Sequence, residues 1–138
     1  MSVRIIVPTD WQYDVGQFMA KHGVKFAVTP TIPDLHSMVL ARRLIQEETQ
    51  ELLTALDQIS DPIYGEYRDI PPLAKELADV IYVVLYAASV FGIEMQSVFS
   101  AVHGANMTKD GEQRTDGKIT KGAAYIDPMA SIRALMEV

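Results

Sequence analysis

Leu40–Leu56 reads LARRLIQEETQELLTAL, and the fold turns on where its three glutamates fall. The stretch has helical periodicity, with about 100° of turn per residue. With Glu47 taken as zero, Glu51 lies at about 40° and Glu48 at about 100°. Leu40, Ala41, Leu44, Ile45, Leu52, Ala55, Leu56 and Ile59 span roughly 20° to 180° on the same wheel, while Arg42, Arg43, Gln46, Thr49, Gln50, Thr54 and Asp57 fill roughly 200° to 340°. Glu48 is therefore set inside the apolar stripe, with Glu47 and Glu51 on its edge. A partly exposed acidic edge is the ordinary alternative. Ionised carboxylates facing a core are costly, because desolvation of each takes several kcal/mol. Two of them about 5.5 Å apart repel by roughly 3 kcal/mol at an effective dielectric of about 20. Cationic side chains or a metal must offset this. Arg42 and Arg43 lie on the opposite arc.

The remainder of the chain bounds what such a helix can belong to. With 138 residues, 49% of them hydrophobic, the chain can build one domain with a real core over residues 1–138. A net charge of -6 supplies no basic stripe for a nucleic-acid backbone, so no nucleic-acid partner is expected. Cysteine is absent, which excludes disulfides and thiolate metal sites and fits a reducing cytoplasm. Met1–Pro8 is too short and broken to read as a signal peptide. No apolar run reaches about 18 residues, so no membrane span is expected.

Taken in order, Ser2–Pro8 is an apolar lead-in with strand character. Asp10 or Asp14 caps a helix through Phe18 to His22, stopped by Gly23, with Phe18 and Met19 as core contacts. Lys25–Pro33 is a proline-bearing loop. Asp34 caps the acidic helix, which runs to about Ile59. Ser60–Pro72 is a long connection. Pro71 and Pro72 open a third helix, which carries Glu76 and Asp79. From Leu77 to Phe91 that helix is apolar on nearly every side, which suits a central position or a surface shared with another subunit. Gly92 ends it. Glu94–Met107 forms a fourth helix. Lys109–Gly122, KDGEQRTDGKITKG, is a polar, flexible loop. Asp127-Pro128 caps a short helix to Val138. The expectation is an all-α helical bundle of four to five helices, assembled as a dimer or dimer of dimers.

Glu76 and Asp79 stand three apart, about 60° on a wheel, so they share a face. Asp79 is flanked by Leu77, Ala78, Val80 and Ile81, which leaves it no solvated face. Two helices thus each present carboxylates to the interior, up to five in all. An all-oxygen, carboxylate-rich cage suits Mg²⁺, with Mn²⁺ as the alternative. A di-iron site needs Glu-x-x-His on each of two helices. His22, His36 and His103 meet no such offset, and zinc lacks nitrogen and sulfur ligands. Magnesium in such a cage binds through substrate phosphates. The chain has no G-x-x-x-x-G-K-[ST] loop to hold them, so basic side chains must. Lys109, Arg114, Lys118 and Lys121 are the candidates. Trp11, Tyr82 and Tyr86 could stack on a base but read better as core or interface side chains.

E47-E48-x-x-E51 followed by E76-x-x-D79 resembles the signature of the all-α nucleoside triphosphate pyrophosphohydrolases, the MazG-like superfamily. That group also holds phosphoribosyl-ATP pyrophosphohydrolases and dimeric dUTPases. H103-G-A-N106-M-T-K109 is similar to a helix end in which Asn and Lys meet nucleotide, and D14-V-G-Q-F-M-A-K-H-G23 to the lead-in of small bacterial members. The resemblance implies a Mg²⁺-dependent cleavage of a nucleoside triphosphate between α- and β-phosphorus, giving monophosphate and pyrophosphate, with dUTP or another non-canonical nucleotide as a house-cleaning target. The same resemblance leaves two other readings open, phosphoribosyl-ATP as the substrate or a non-catalytic nucleotide- or metal-binding regulator on the same bundle. Glu48, Glu51, Glu76 and Asp79 would hold metal, and Glu47 would orient or deprotonate the attacking water. Either Glu47 or Glu48 can serve as base. Asn106 would touch base or sugar, and Lys109, Arg114, Lys118 and Lys121 the β- and γ-phosphates.

Overall fold

The computed structural model describes residues 10–61, residue 63 and residues 69–137. Within them the chain is all-α: α1 (Trp11–Lys21), α2 (Leu35–Ser60), α3 (Ile70–Phe91), α4 (Met95–Met107) and α5 (Met129–Met136). The lead-in Ser2–Pro8 and most of the connection after Ser60 lie outside the described residues. No single helix among the described residues is long and apolar enough to cross a membrane.

Three of the five helices, α1, α2 and α4, start where a side chain satisfies the first free amides. The Asp10 carboxylate accepts from the Tyr13 amide at 3.1 Å and caps α1. Asp34 caps α2, accepting from the Ser37 amide at 2.8 Å and its hydroxyl at 3.0 Å. At α4, Glu94 accepts from the amides of Gln96 and Ser97. Pro71 and Pro72 occupy the first turn of α3, where missing N–H groups cost nothing. At α5 the expectation needs correcting by a residue. Pro128 takes the cap position without a side-chain bond, and Asp127 accepts from the Met129 amide from one place upstream. The helix stops at Met136, and Val138 lies outside the described residues.

The chain divides into two compact units, meeting at Gly92 and Ile93. In the first, α2 and α1 both pack on α3. The core joins Val15 and Met19 of α1 to Tyr86 and Val90 of α3, with Leu44 of α2, Leu85, Phe91 and Val24 packed around it. Phe18 is half exposed and meets the Tyr82 ring edge-on. The proline-bearing loop is tied down by Ala27 N–H donating to Ser89 O and Thr31 N–H to Phe91 O, both carbonyls in the last turn of α3. Gly92 then turns with φ 69°, and a Cβ there would sit 2.0 Å from the Thr29 carbonyl oxygen. Only glycine fits. The apolar α3 divides along its length: Val83, Tyr86, Ala88 and Val90 are buried, while Leu77, Ile81 and Val84 face outward.

In the second unit α4 and α5 pack together. The polar stretch between them is not a flexible loop but a hydrogen-bonded hairpin. Gly111 N–H donates to Thr120 O, Thr120 N–H to Glu112 O and Arg114 N–H to Lys118 O, around Gly117 at φ 94°. Asp110 accepts from the Ala124 amide, and Thr108 Oγ1 accepts from the Ile126 amide at 2.8 Å.

Candidate functional site

Packing α2 on α3 brings Glu48 beside Glu76 and Asp79. One carboxylate oxygen from each lies within 4.8 Å of the others, and all three side chains are half buried. The Glu76 side chain is 17% exposed and that of Asp79 35%. Glu48 Oε2 and Glu76 Oε2 are both shut off from solvent with no hydrogen-bond partner. Burial pushes the Glu48 carboxyl up from 4.5. The charges of Glu51 and then Asp79 add to the shift, as does a hydrogen bond with Glu51, while Lys75 opposes it. Glu51 is thus a neighbour of the cluster from one turn along α2. Glu47 is exposed on the same helix and is not among the three gathered acids.

The wheel of α2 accounted for Glu48, but the cation next to it comes from α3. Lys75 Nζ lies 2.7 Å from Asp79 Oδ2 and 3.3 Å from Glu76 Oε1. Those two hydrogen bonds, Asp79 first, raise the ammonium well above the usual lysine range. The sequence reading passed over Lys75, although its signal was present: a lysine four residues before Asp79 reaches it across one helical turn.

Whether a metal fits rests on the donors. All three donors are carboxylate oxygens, Glu48 and Glu76 each carry a buried, unsatisfied oxygen, and the acids outnumber the one cation. An ion the size of Mg²⁺ holds oxygens at about 2.1 Å, so ligands on opposite sides lie about 4.2 Å apart. The observed spread of 4.8 Å closes to that by small side-chain rotations. A hard divalent cation therefore fits.

The chain matches the sequence profile of the phosphoribosyl-ATP pyrophosphohydrolase family over residues 18–106. The chain belongs to that family. It is an enzyme, a pyrophosphohydrolase acting on acid anhydrides, and the family lies within the all-α superfamily that its paired acidic motifs resemble. No curated protein matches the chain. The family match includes all five acids and Asn106, and stops short of the hairpin cations.

Those cations belong to the second unit. Arg114 is paired with Asp116 through Nε–Oδ1 at 3.1 Å and a second, shorter contact. Lys121 Nζ lies 4.8 Å from the centre of the Tyr125 ring. Lys109 and Lys118 take part in no salt bridge among the described residues. Asn106 is exposed in the last turn of α4.

A separate cavity of about 200 Å³ opens between α1 and α3, lined by Trp11, Asp14, Val15, Ala78, Ile81, Tyr82 and Leu85. Its α3 side is turned roughly 140° around the helix from Glu76 and Asp79, so α3 itself stands between the cavity and the acids. Tyr86 is buried in the core.

Proposed function

We propose that this pyrophosphohydrolase cleaves a nucleoside triphosphate between α- and β-phosphorus, releasing pyrophosphate and leaving the monophosphate. Glu48, Glu51, Glu76 and Asp79 hold the divalent cation, Mg²⁺ in the first place and Mn²⁺ as a substitute. The observation that carries this is the pair of buried, unpartnered oxygens on Glu48 and Glu76, on two helices whose acids gather within 4.8 Å. Leaving such groups unsatisfied costs folding free energy, which a bound cation returns.

The cation supplies Lewis-acid polarisation of the phosphate oxygens and charge neutralisation. Glu47 and Glu48 are the residues that orient water and take its proton. Either can serve as base, and Glu48 is the one that lies among the gathered acids. Glu47 is nearer solvent. Asn106, Lys109, Arg114, Lys118 and Lys121 are proposed on the sequence resemblance to contact nucleotide and phosphates. Of the four cations, Lys109 and Lys118 have the less committed side chains. The family match crosses the junction between the two units, which supports treating residues 1–138 as one catalytic domain.

The family match favours phosphoribosyl-ATP as the first substrate to try. The resemblance to dimeric dUTPases keeps dUTP and other non-canonical nucleotides, and so a role in cleaning the nucleotide pool, as the second. A panel of both kinds, with Mg²⁺, read out as pyrophosphate and monophosphate, separates them. Tight binding across the panel with no pyrophosphate would instead make the protein a nucleotide-binding regulator. We also propose a homodimer or tetramer, motivated by the apolar side chains that α3 turns outward, and a cytoplasmic setting, in keeping with the lack of cysteine.

A further inference from the structure

Lys75 places a positive charge where the proposed ion would bring one. Its ammonium touches Asp79 Oδ2 and Glu76 Oε1 at 2.7 and 3.3 Å, on two of the three side chains that gather at the cluster. Among the described residues no other salt bridge reaches these acids. The ammonium and a divalent cation would compete for the same two carboxylates, those of Glu76 and Asp79, and repel one another. The lysine is also built to yield. Its side chain is 64% exposed, so the ammonium can return to water, where it is well hydrated. A lysine holds carboxylates as a point charge on a flexible stem, without the fixed two-pronged grip of arginine. Exposed pairs of this kind contribute little net stability and separate easily.

We propose that Lys75 is a placeholder for the divalent cation, neutralising Glu76 and Asp79 in the metal-free protein and leaving them when the ion binds. This rests on the metal reading under Proposed function and adds a regulating residue to it. The placeholder limits like-charge repulsion in the empty cluster. It also lowers metal affinity by competition, so the ion concentration needed for loading is set by a residue that is not a ligand.

The test is calorimetric titration of the full chain with Mn²⁺. Lys75→Met is expected to bind Mn²⁺ about fivefold more tightly than the wild type and to melt lower in chelator. Lys75→Arg, which keeps a cation and grips carboxylates more firmly, binds no more tightly than the wild type. In wild-type protein labelled with ¹⁵N-lysine, the Lys75 Nζ resonance moves during a Mg²⁺ titration and saturates with the binding curve. That measurement needs no substitution, and Lys75→Gln serves if the methionine variant folds poorly. Unchanged Mn²⁺ affinity in Lys75→Met, or an Nζ resonance that stays put at saturating Mg²⁺, overturns the placeholder and leaves the metal site standing. Wild-type protein that takes up no Mn²⁺ removes the metal reading and the placeholder together.

Discussion

At Glu48 the stability of the fold and the chemistry of the site pull in opposite directions. Burial, with Glu51 and Asp79 beside it, raises its carboxyl above 4.5. Between pH 4.5 and the raised value, the folded metal-free chain keeps a proton that the unfolded chain has lost. Stability attributable to Glu48 therefore falls as pH rises through that window. Glu48→Gln removes the charge. In chelator it is expected to melt above the wild type at neutral pH and to show a flatter pH dependence above pH 4.5, while turnover drops by at least about a hundredfold. Thermal melts across pH, together with a pyrophosphate assay, check both halves; turnover surviving in Glu48→Gln would remove this residue from the mechanism. Glu94, Asp34 and Asp116 act with the opposite sign. Hydrogen bonds from Ser97, from Ser37 and from Arg114 respectively lead the causes that hold them below their ordinary values. Their stabilisation is present above the unfolded pKa and is lost as pH falls through the lowered one. The position of Glu48 inside an apolar stripe was readable from periodicity alone. Its relief by Lys75 lies off that wheel, on the helix packed across from it, where the only signal is a lysine four residues before Asp79.

Helix starts and stops were legible because each is a local event: a carboxylate one to three residues from free amides, or a glycine where the backbone turns left-handed. Asp10, Asp34, Glu94, Gly23 and Gly92 all act at or next to the ends where the sequence put them. Gly92 does more than stop α3, since a Cβ would collide with the Thr29 carbonyl. Gly92→Ala combines that collision with left-handed strain of about 1–2 kcal/mol per residue, so a loss of at least about 2 kcal/mol is expected. Denaturant unfolding measures it. A loss under half that figure would mean that the 25–33 loop shifts away freely. Met19→Ala empties a fully buried position between Val15, Tyr86 and Val90 and should cost about 2–5 kcal/mol by the same assay. The hairpin over 109–122 was missed for a specific reason. Asp116-Gly117 is a three-residue-loop turn signal, but its flanks are polar and lack the alternation that marks strands, so only the backbone pairing reveals it.

At the level of the whole molecule, the all-α class followed from helical periods long enough to be unambiguous. The division at Gly92 and Ile93 did not, because a glycine between two helices reads the same whether or not the contacts change there. Divalent ions should stabilise the folded chain as a whole. At about a hundred times Kd a bound ion adds about 2.7 kcal/mol, which for a chain of this length raises Tm by roughly 10 °C. Superimposable melts in chelator and in Mg²⁺ would contradict an ion at the acids. Assembly is the companion expectation, and its argument is geometric. Leu77, Ile81 and Val84 recur at four- and three-residue spacing, so they form one stripe on α3, and they are 45%, 42% and 37% exposed. A stripe of that kind on the most apolar helix of the chain is better buried against a second copy than left in water. Light scattering should therefore give a mass that is a multiple of 15.3 kDa. Val84→Glu, which puts a charge in the stripe more than one turn beyond Asp79 and outside the core, should lower that mass while leaving the helical circular dichroism intact. A wild type that runs as a monomer at micromolar concentration would leave the outward face of α3 without this explanation.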